Sequence, residues 1–229
     1  MKTSHILLAI LAFVTLTGMV ATDVLLRKQY DKINWSDPYQ TFERRALPMA
    51  THWVVEGNTT NEIIIERSAG KPQALIEPDQ TKFYQTRQQG DTVFVMFTPD
   101  LSNYEASPRD DANHVWGVRL VLRLPDFQTL RIKNARLTLQ ELAMDKLTVS
   151  LQKSRLRTNK LQISDSFSLT GSQNSFAVLG PEDRYQSLQM TVQDSSGIQL
   201  NSDQITAFTK NVSPKAEVQL RGQALKWLK

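Results

Sequence analysis

Three histidines and no cysteine set narrow limits on the chemistry open to this chain of 229 residues. A nucleophile, base and acid of the Ser-His-Asp kind would need His5, His52 or His114, and no GxSxG elbow accompanies any of them. His5 sits in an apolar leader, His52 adjoins Trp53 in a strand pattern and His114 lies in a polar stretch before Val115, so each reads as an ordinary side chain. The missing cysteines exclude thiolate nucleophiles, disulfides, zinc fingers and Cys-ligated iron clusters together. Carboxylates are the remaining material, since calcium-dependent cleavage of acidic polysaccharides uses Asp clusters with a basic proton acceptor. The candidates are Asp110-Asp111, Glu182-Asp183 and the scattered Asp100, Glu105 and Asp126. Their spacing matches neither an EF-hand nor a GGxGxD calcium repeat, and adjacent acids on a loop ordinarily serve to solvate it. Neither GxxxxGK[ST] nor GxGxxG occurs. The reading is of a non-enzyme with no catalytic residues, no metal and no cofactor.

One uneven run of charge could bind a ligand. Between Arg119 and Lys160 ten cations face only Asp126, Glu141 and Asp145. Strand alternation makes Leu156 inward and turns Arg155 and Arg157 outward. With Lys153 they form a candidate site for an anionic envelope glycan, against the plainer reading of a solvated face that discourages edge pairing. The net charge of +4 does not by itself call for nucleic acid.

Positioning elements follow from the pattern of apolar residues. Residues 6 to 26 are almost continuously apolar, about 21 residues or about 30 Å of helix, which suffices for one bilayer crossing. Residues 1–28 are therefore read as a membrane anchor, with a cleaved signal peptide as the alternative. Arg27, Lys28 and Lys32 weakly favour a cytoplasmic C-terminal side, yet folded domains of this size translocate largely regardless of such differences, and export is expected. Residues 29–49 mix charge, aromatics and prolines and read as a juxtamembrane linker. From 50 to 124 the segments WVVEG, EIIIE, QALIE, TVFVMF and VWGVRLVLRL, separated by turns that include the stretch 107–111, read as strands.

From 125 to 229 the chain changes to very short alternating units: LRI, LTL, LTVSL, LQI, FSL, FAV, LQMTV, GIQL, ITAF and AEVQL. Units this brief suit an irregular single-stranded β-helix, a solenoid with three short strands per coil and about 20 residues per coil, whose inward side chains stack in columns. A two-sheet sandwich is the alternative, and the discriminator is whether Leu147, Leu161 and Leu188 share one axis. Leu225, Trp227 and Leu228 are expected to cap the last coil. The fold class is thus all-β, preceded by one transmembrane helix.

The stretch LPDFQTLRIKNARLTLQELAMDKLTVSLQKSRLRTNKLQISDSFSLTG, with LQMTVQDSSGIQLNSDQITAF and AEVQLRGQAL, resembles the GIN domain, an autotransporter adhesin head domain. The features shared are the Leu124-Pro125 lead-in and repeated Leu-x-Val-x-Leu units followed by Ser-containing turns at 152–154, 164–166 and 194–197. More weakly, the resemblance extends upstream over 52–97. It implies a β-helix-like adhesion or binding domain of the bacterial cell envelope, periplasmic or extracellular, and it carries no catalytic residues. The chain departs from the family at its corners, where Lys and Gln stand in place of glycine, and this bears on the backbone near 152–160. An envelope glycan or protein is the expected partner, and no nucleic acid. An auxiliary subunit of an envelope complex and a carbohydrate-active β-helix enzyme are the other two readings.

Overall fold

A computed structural model describes residues 2–35, 37–58, 61–99 and 117–228. Residues group into two units, 1–41 and 42–229. The first is built on helix α1, Lys2–Tyr30. Its stretch His5–Tyr30 is long and apolar enough to cross a membrane. The hydroxyls of Thr15, Thr17 and Thr22 donate to the carbonyls of Leu11, Phe13 and Gly18, each at 2.8 Å, so these polar groups are satisfied within the helix itself.

The second unit is all-β. Its strands are β1 Glu43–Ala46, β2 His52–Gly57, β3 Glu62–Arg67, β4 Gln73–Ile76, β5 Tyr84–Gln89, β6 Thr92–Phe97, β7 Val118–Leu124, β8 Thr129–Lys133 and β9 Arg136–Gln140. They continue with β10 Ala143–Gln152, β11 Arg155–Asn159, β12 Gln162–Ser172, β13 Phe176–Leu179, β14 Arg184–Val192, β15 Gly197–Leu200, β16 Ile205–Val212 and β17 Glu217–Leu220. Among the described residues they form two mixed sheets that do not close on themselves: β1-β4-β7-β3-β9-β11-β13-β15-β17 and β16-β14-β12-β10-β8-β2-β6-β5. From β8 onward the chain passes alternately between the sheets, and from β10 onward each strand pairs in parallel with the one two before it. Each turn of chain therefore lays down two strands, where the sequence had suggested three.

Register shows why. Leu147 pairs with Phe167, Phe167 with Leu188 and Leu188 with Phe208, steps of about 20 residues. A second column runs from Trp53 through Leu130, Val149, Leu169 and Met190, with the first sheet supplying Ile63, Leu137, Leu156, Ala177 and Ile198 opposite. All of these but Phe208 are buried. Phe167 also stacks on Tyr185, with ring centroids 5.3 Å apart and planes 8° from parallel. Leu161 is buried too, but on a different axis: the register that pairs Ala143 with Gln162 places it beside Leu142.

A second difference lies in β12. LQI and FSL are one strand of 11 residues, and Ser164-Asp165-Ser166, read from sequence as a turn, is an irregularity within it. Against β10 and β14 alike, Ser164 and Asp165 stand opposite a single residue, Asp145 or Gln186, so β12 alone bulges by one residue and pairing resumes at Ser166. The five upstream strand segments appear as β2, β3, β4, β6 and β7, while Val115, Trp116 and the 107–111 turn lie outside the described residues. β1 falls in the stretch read as a linker. β5 gave no apolar signal because it pairs with β6 alone and buries only Tyr84.

Several corners take a left-handed backbone at residues other than glycine. Asn134, Glu141, Lys153, Lys160, Gln173, Asn174 and Asp194 all take φ between 46° and 60°. Serines hold one corner together. Ser154, Ser175 and Ser196 are buried, with Ser154 N donating to Ser175 Oγ at 3.2 Å and Ser175 N to Ser196 Oγ at 3.0 Å. Backbone groups left over where the sheets stop are satisfied this way. At the C-terminal end the 3-10 turn Gly222–Leu228 buries Ala224 and sets Trp227 against Phe208 at 5.8 Å, whereas Leu225 is 50% exposed. Trp227 thus caps as expected; Leu225 does not.

Two substitutions test this account. Phe167→Ala should cost about 3–5 kcal/mol in denaturant unfolding, because it empties a stacked column position. Lys153→Gly should raise stability by about 1 kcal/mol, because it relieves a side chain held at positive φ; an unchanged midpoint would contradict the corner geometry.

Candidate functional site

The long strands of the second sheet begin in an open polar trough. One stretch of it, about 440 Å³, is bounded by Arg67, Asp126, Asp145, Gln162, Ser164 and Arg184. The other, about 520 Å³, shares Ile163, Ser164 and Arg184 and continues to Gln186, Gln204 and Thr206. The trough crosses the starts of β10, β12, β14 and β16, so it runs across the strands, rung to rung, for about 14 Å at the usual strand spacing. Its apolar floor comes from Met144, Ile163, Tyr185 and Ile205, which pair in register.

Around the rim the carboxylates are engaged. Asp126 meets Arg67 at 3.4 Å, Asp145 accepts from Ser164 Oγ at 2.6 Å, and Asp203 lies 3.8 Å from Lys226. Lys146 pairs with Asp165 at 3.2 Å. Gln186 and Thr206 join at 3.3 Å. Arg184, Gln162 and Gln204 are exposed, and among the described residues their side chains make no hydrogen bond or ion pair.

What holds this row in place is buried beneath it. Asp183 is fully buried, and its carboxylate accepts from Leu161 N at 2.8 Å, Gly180 N at 2.7 Å, Tyr185 Oη at 2.9 Å and the Thr158 hydroxyl. Its carbonyl accepts from Ser202 Oγ at 2.5 Å. Three successive rungs are tied through this one residue, and Arg184 is its chain neighbour, with its own N–H bonded to Leu161 O at 2.8 Å. Gly180 is required here, since a Cβ would stand 2.5 Å from the Thr158 carbonyl oxygen. Burial pushes the Asp183 carboxyl upward in pKa, opposed by the donors from Thr158, Leu161, Tyr185 and Gly180. The Tyr185 hydroxyl is pushed well up, first by burial and then by the Asp183 charge.

The sequence-derived candidates are spread elsewhere. Lys153 is exposed on a corner, Arg155 is buried and Arg157 half-buried. Alternation was read correctly, since Leu156 points inward, but outward does not mean solvated: the outer face of the first sheet is itself buried at Ile64, Val121, Arg136, Arg155, Phe176 and Val178. The three cations therefore do not form one exposed patch. His52 is half-buried, with Nδ1 2.8 Å from Thr129 Oγ1. His114, Asp100, Glu105, Asp110 and Asp111 lie outside the described residues. Among the described residues no three His, Asp or Glu side chains gather closely enough to hold a metal ion. Glu182 is exposed, as a loop-solvating acid should be, but its neighbour Asp183 is the buried tie. Aligning the chain on its 20-residue step would have found it, because Asp183 occupies the corner position that Leu142 and Leu161 fill in the preceding rungs.

No protein-family model matches the chain, and neither does any curated protein. Solved structures with similar strand arrangements include a candidate adhesin from Bacteroides fragilis at 12% identity, spanning 80% of this chain and 98% of that one with a TM-score of 0.37. Another candidate adhesin, from Parabacteroides distasonis, gives 7% identity, 80% and 94% coverage and a TM-score of 0.42. A candidate lipid-binding protein from the same species gives 9%, 80% and 95%, and 0.36. The alignments span nearly the whole of those chains, while the superpositions are loose.

Removing the tie should be costly. Asp183→Ala leaves buried donors on Leu161, Gly180, Thr158 and Tyr185 without an acceptor and should cost about 3 kcal/mol or more in denaturant unfolding. The acid range carries a signature as well. Because the folded-state pKa of Asp183 is raised, its contribution is fully present below the ordinary aspartate value and is lost as pH rises through the folded value. Wild type should lose stability relative to Asp183→Asn over that interval; a pH-independent difference between the two would refute the assignment.

Proposed function

We propose that this chain is a membrane-anchored, non-enzymatic binding module of the bacterial cell envelope, with its β unit exported. The β unit is an irregular β-helix of two strands per coil, and the trough across β10, β12, β14 and β16 is its ligand face. The observation that carries this reading is the trough's construction: an open, elongated surface on which side-chain amides and hydroxyls recur from rung to rung around Arg184. A carbohydrate-active enzyme would need carboxylates converging on one bond. Here each rim carboxylate is instead engaged by Arg67, Ser164 or Lys226. Helix α1 supports anchoring by its length and apolar surface. The bound partner is an envelope glycan or protein, and no nucleic acid.

Two measurements test the reading. A reporter phosphatase that is active only after export, fused after Lys229, should be active, and the chain should resist alkaline extraction from membranes. The full-length chain in detergent should also be retained on isolated envelope polysaccharide. An inactive but stable fusion would overturn export, and release by alkali would overturn anchoring.

A further inference from the structure

We infer that Gln162, Arg184 and Gln204 form a carboxylate-binding row in the trough and that its ligand is a linear glycan bearing uronic acid groups. This rests on the trough being a ligand face and names the chemistry it selects. The three residues occupy one position on successive strands: Gln162 pairs with Arg184, and Tyr185 N bonds Gln204 O at 2.9 Å in the same register. Adjacent strands bring them to about 4.8 Å from one another. A guanidinium flanked on both sides by amide N–H donors is a fork for one carboxylate, with Arg184 bidentate and either glutamine closing on an outer lone pair.

Charge around the row favours an anion. Asp126 and Asp203 are ion-paired with Arg67 and Lys226, the Lys146 charge is matched by Asp165, and Asp145 is bonded to the Ser164 hydroxyl, so among the described residues Arg184 is the trough cation that no carboxylate pairs. The row is also rigid at its base. Asp183 and Tyr185 on either side of Arg184 are buried and bonded to each other, which fixes the backbone from which the guanidinium projects. That lowers the ordering cost of binding.

Geometry selects a glycan over a peptide. Gln162 and Arg184 stand on β12 and β14, strands that are paired on both sides, so these positions lie within the sheet and not on an edge open to strand addition. Side chains supply the polar contacts instead: Ser164, Gln186 and Thr206 lie beside the row, and their amides and hydroxyls match ring hydroxyls. An elongated trough about 14 Å long that spans four rungs fits several sugar units laid across the strands.

Retention of the full-length chain in detergent on immobilised polygalacturonate tests this, with the same polymer after carboxyl reduction and polyglutamate as comparison columns. Wild type should be retained on polygalacturonate, more weakly at high salt, and much less on the reduced polymer. Arg184→Gln should weaken retention on polygalacturonate about tenfold to a hundredfold, and Gln162→Ala with Gln204→Ala by a smaller factor. Thermal unfolding of Arg184→Gln should match wild type, since the side chain holds nothing in the fold. Retention unaffected by Arg184→Gln overturns the proposal, as does loss with Lys153→Glu and Arg157→Glu but not with Arg184→Gln. Retention on polyglutamate alone overturns the glycan assignment. Equal retention on the native and reduced polymers overturns the carboxylate row while leaving the trough a glycan face. Failure on every column, including isolated envelope polysaccharide, removes the binding reading itself.

Discussion

Parallel pairing between strands that lie about 20 residues apart is the constraint on which the rest of the β unit depends. A strand of four or five residues such as β11, β13 or β15 cannot bury enough surface to persist alone. It persists because the strand before and the strand after it satisfy its backbone, and because its inward residue continues a column of Leu, Ile, Val and Phe. Stability is therefore shared between neighbouring rungs. The order of strands need not follow the chain: β2 lies between β8 and β6, and β3 between β9 and β7, so an early segment is enclosed by later ones. Such non-local pairing carries a loop-closure cost.

Stacking also explains the corners. A rung must reverse in two to four residues to reach the other sheet, and the chain accepts positive φ at Asn134, Asp194 and even Lys153 and Lys160. Asn and Asp tolerate that region well; lysine does so at a cost of about 1 kcal/mol. The serine ladder and the Asp183 tie offset the cost by satisfying buried N–H groups that the sheets leave open.

The same repetition generates the polar trough. The one-residue bulge of β12 leaves it paired with β10 and β14 on either side while the polar residues Asp145, Ser164 and Asp165 are exposed there. Polar side chains at equivalent positions then stand in rows one strand apart. A repeat fold thus turns a single outward position into a linear surface.

All-β character, the apolar helix at the N-terminus and the approximate coil length were legible from residue patterns, because alternation in units such as LTVSL and continuous apolarity over 6–26 report directly on burial. Those signals are local. They could not assign Leu161 to its column, show that Ser164-Asp165-Ser166 stays within a strand, reveal that Arg155 is buried on an outer face, or separate Asp183 from Glu182. Each of these depends on which rung lies next to which, and register is set by contacts between residues 19 to 22 positions apart or more. Residue types fixed what could be buried; the stacking of rungs decided which polar groups were buried with it and which were left facing the trough.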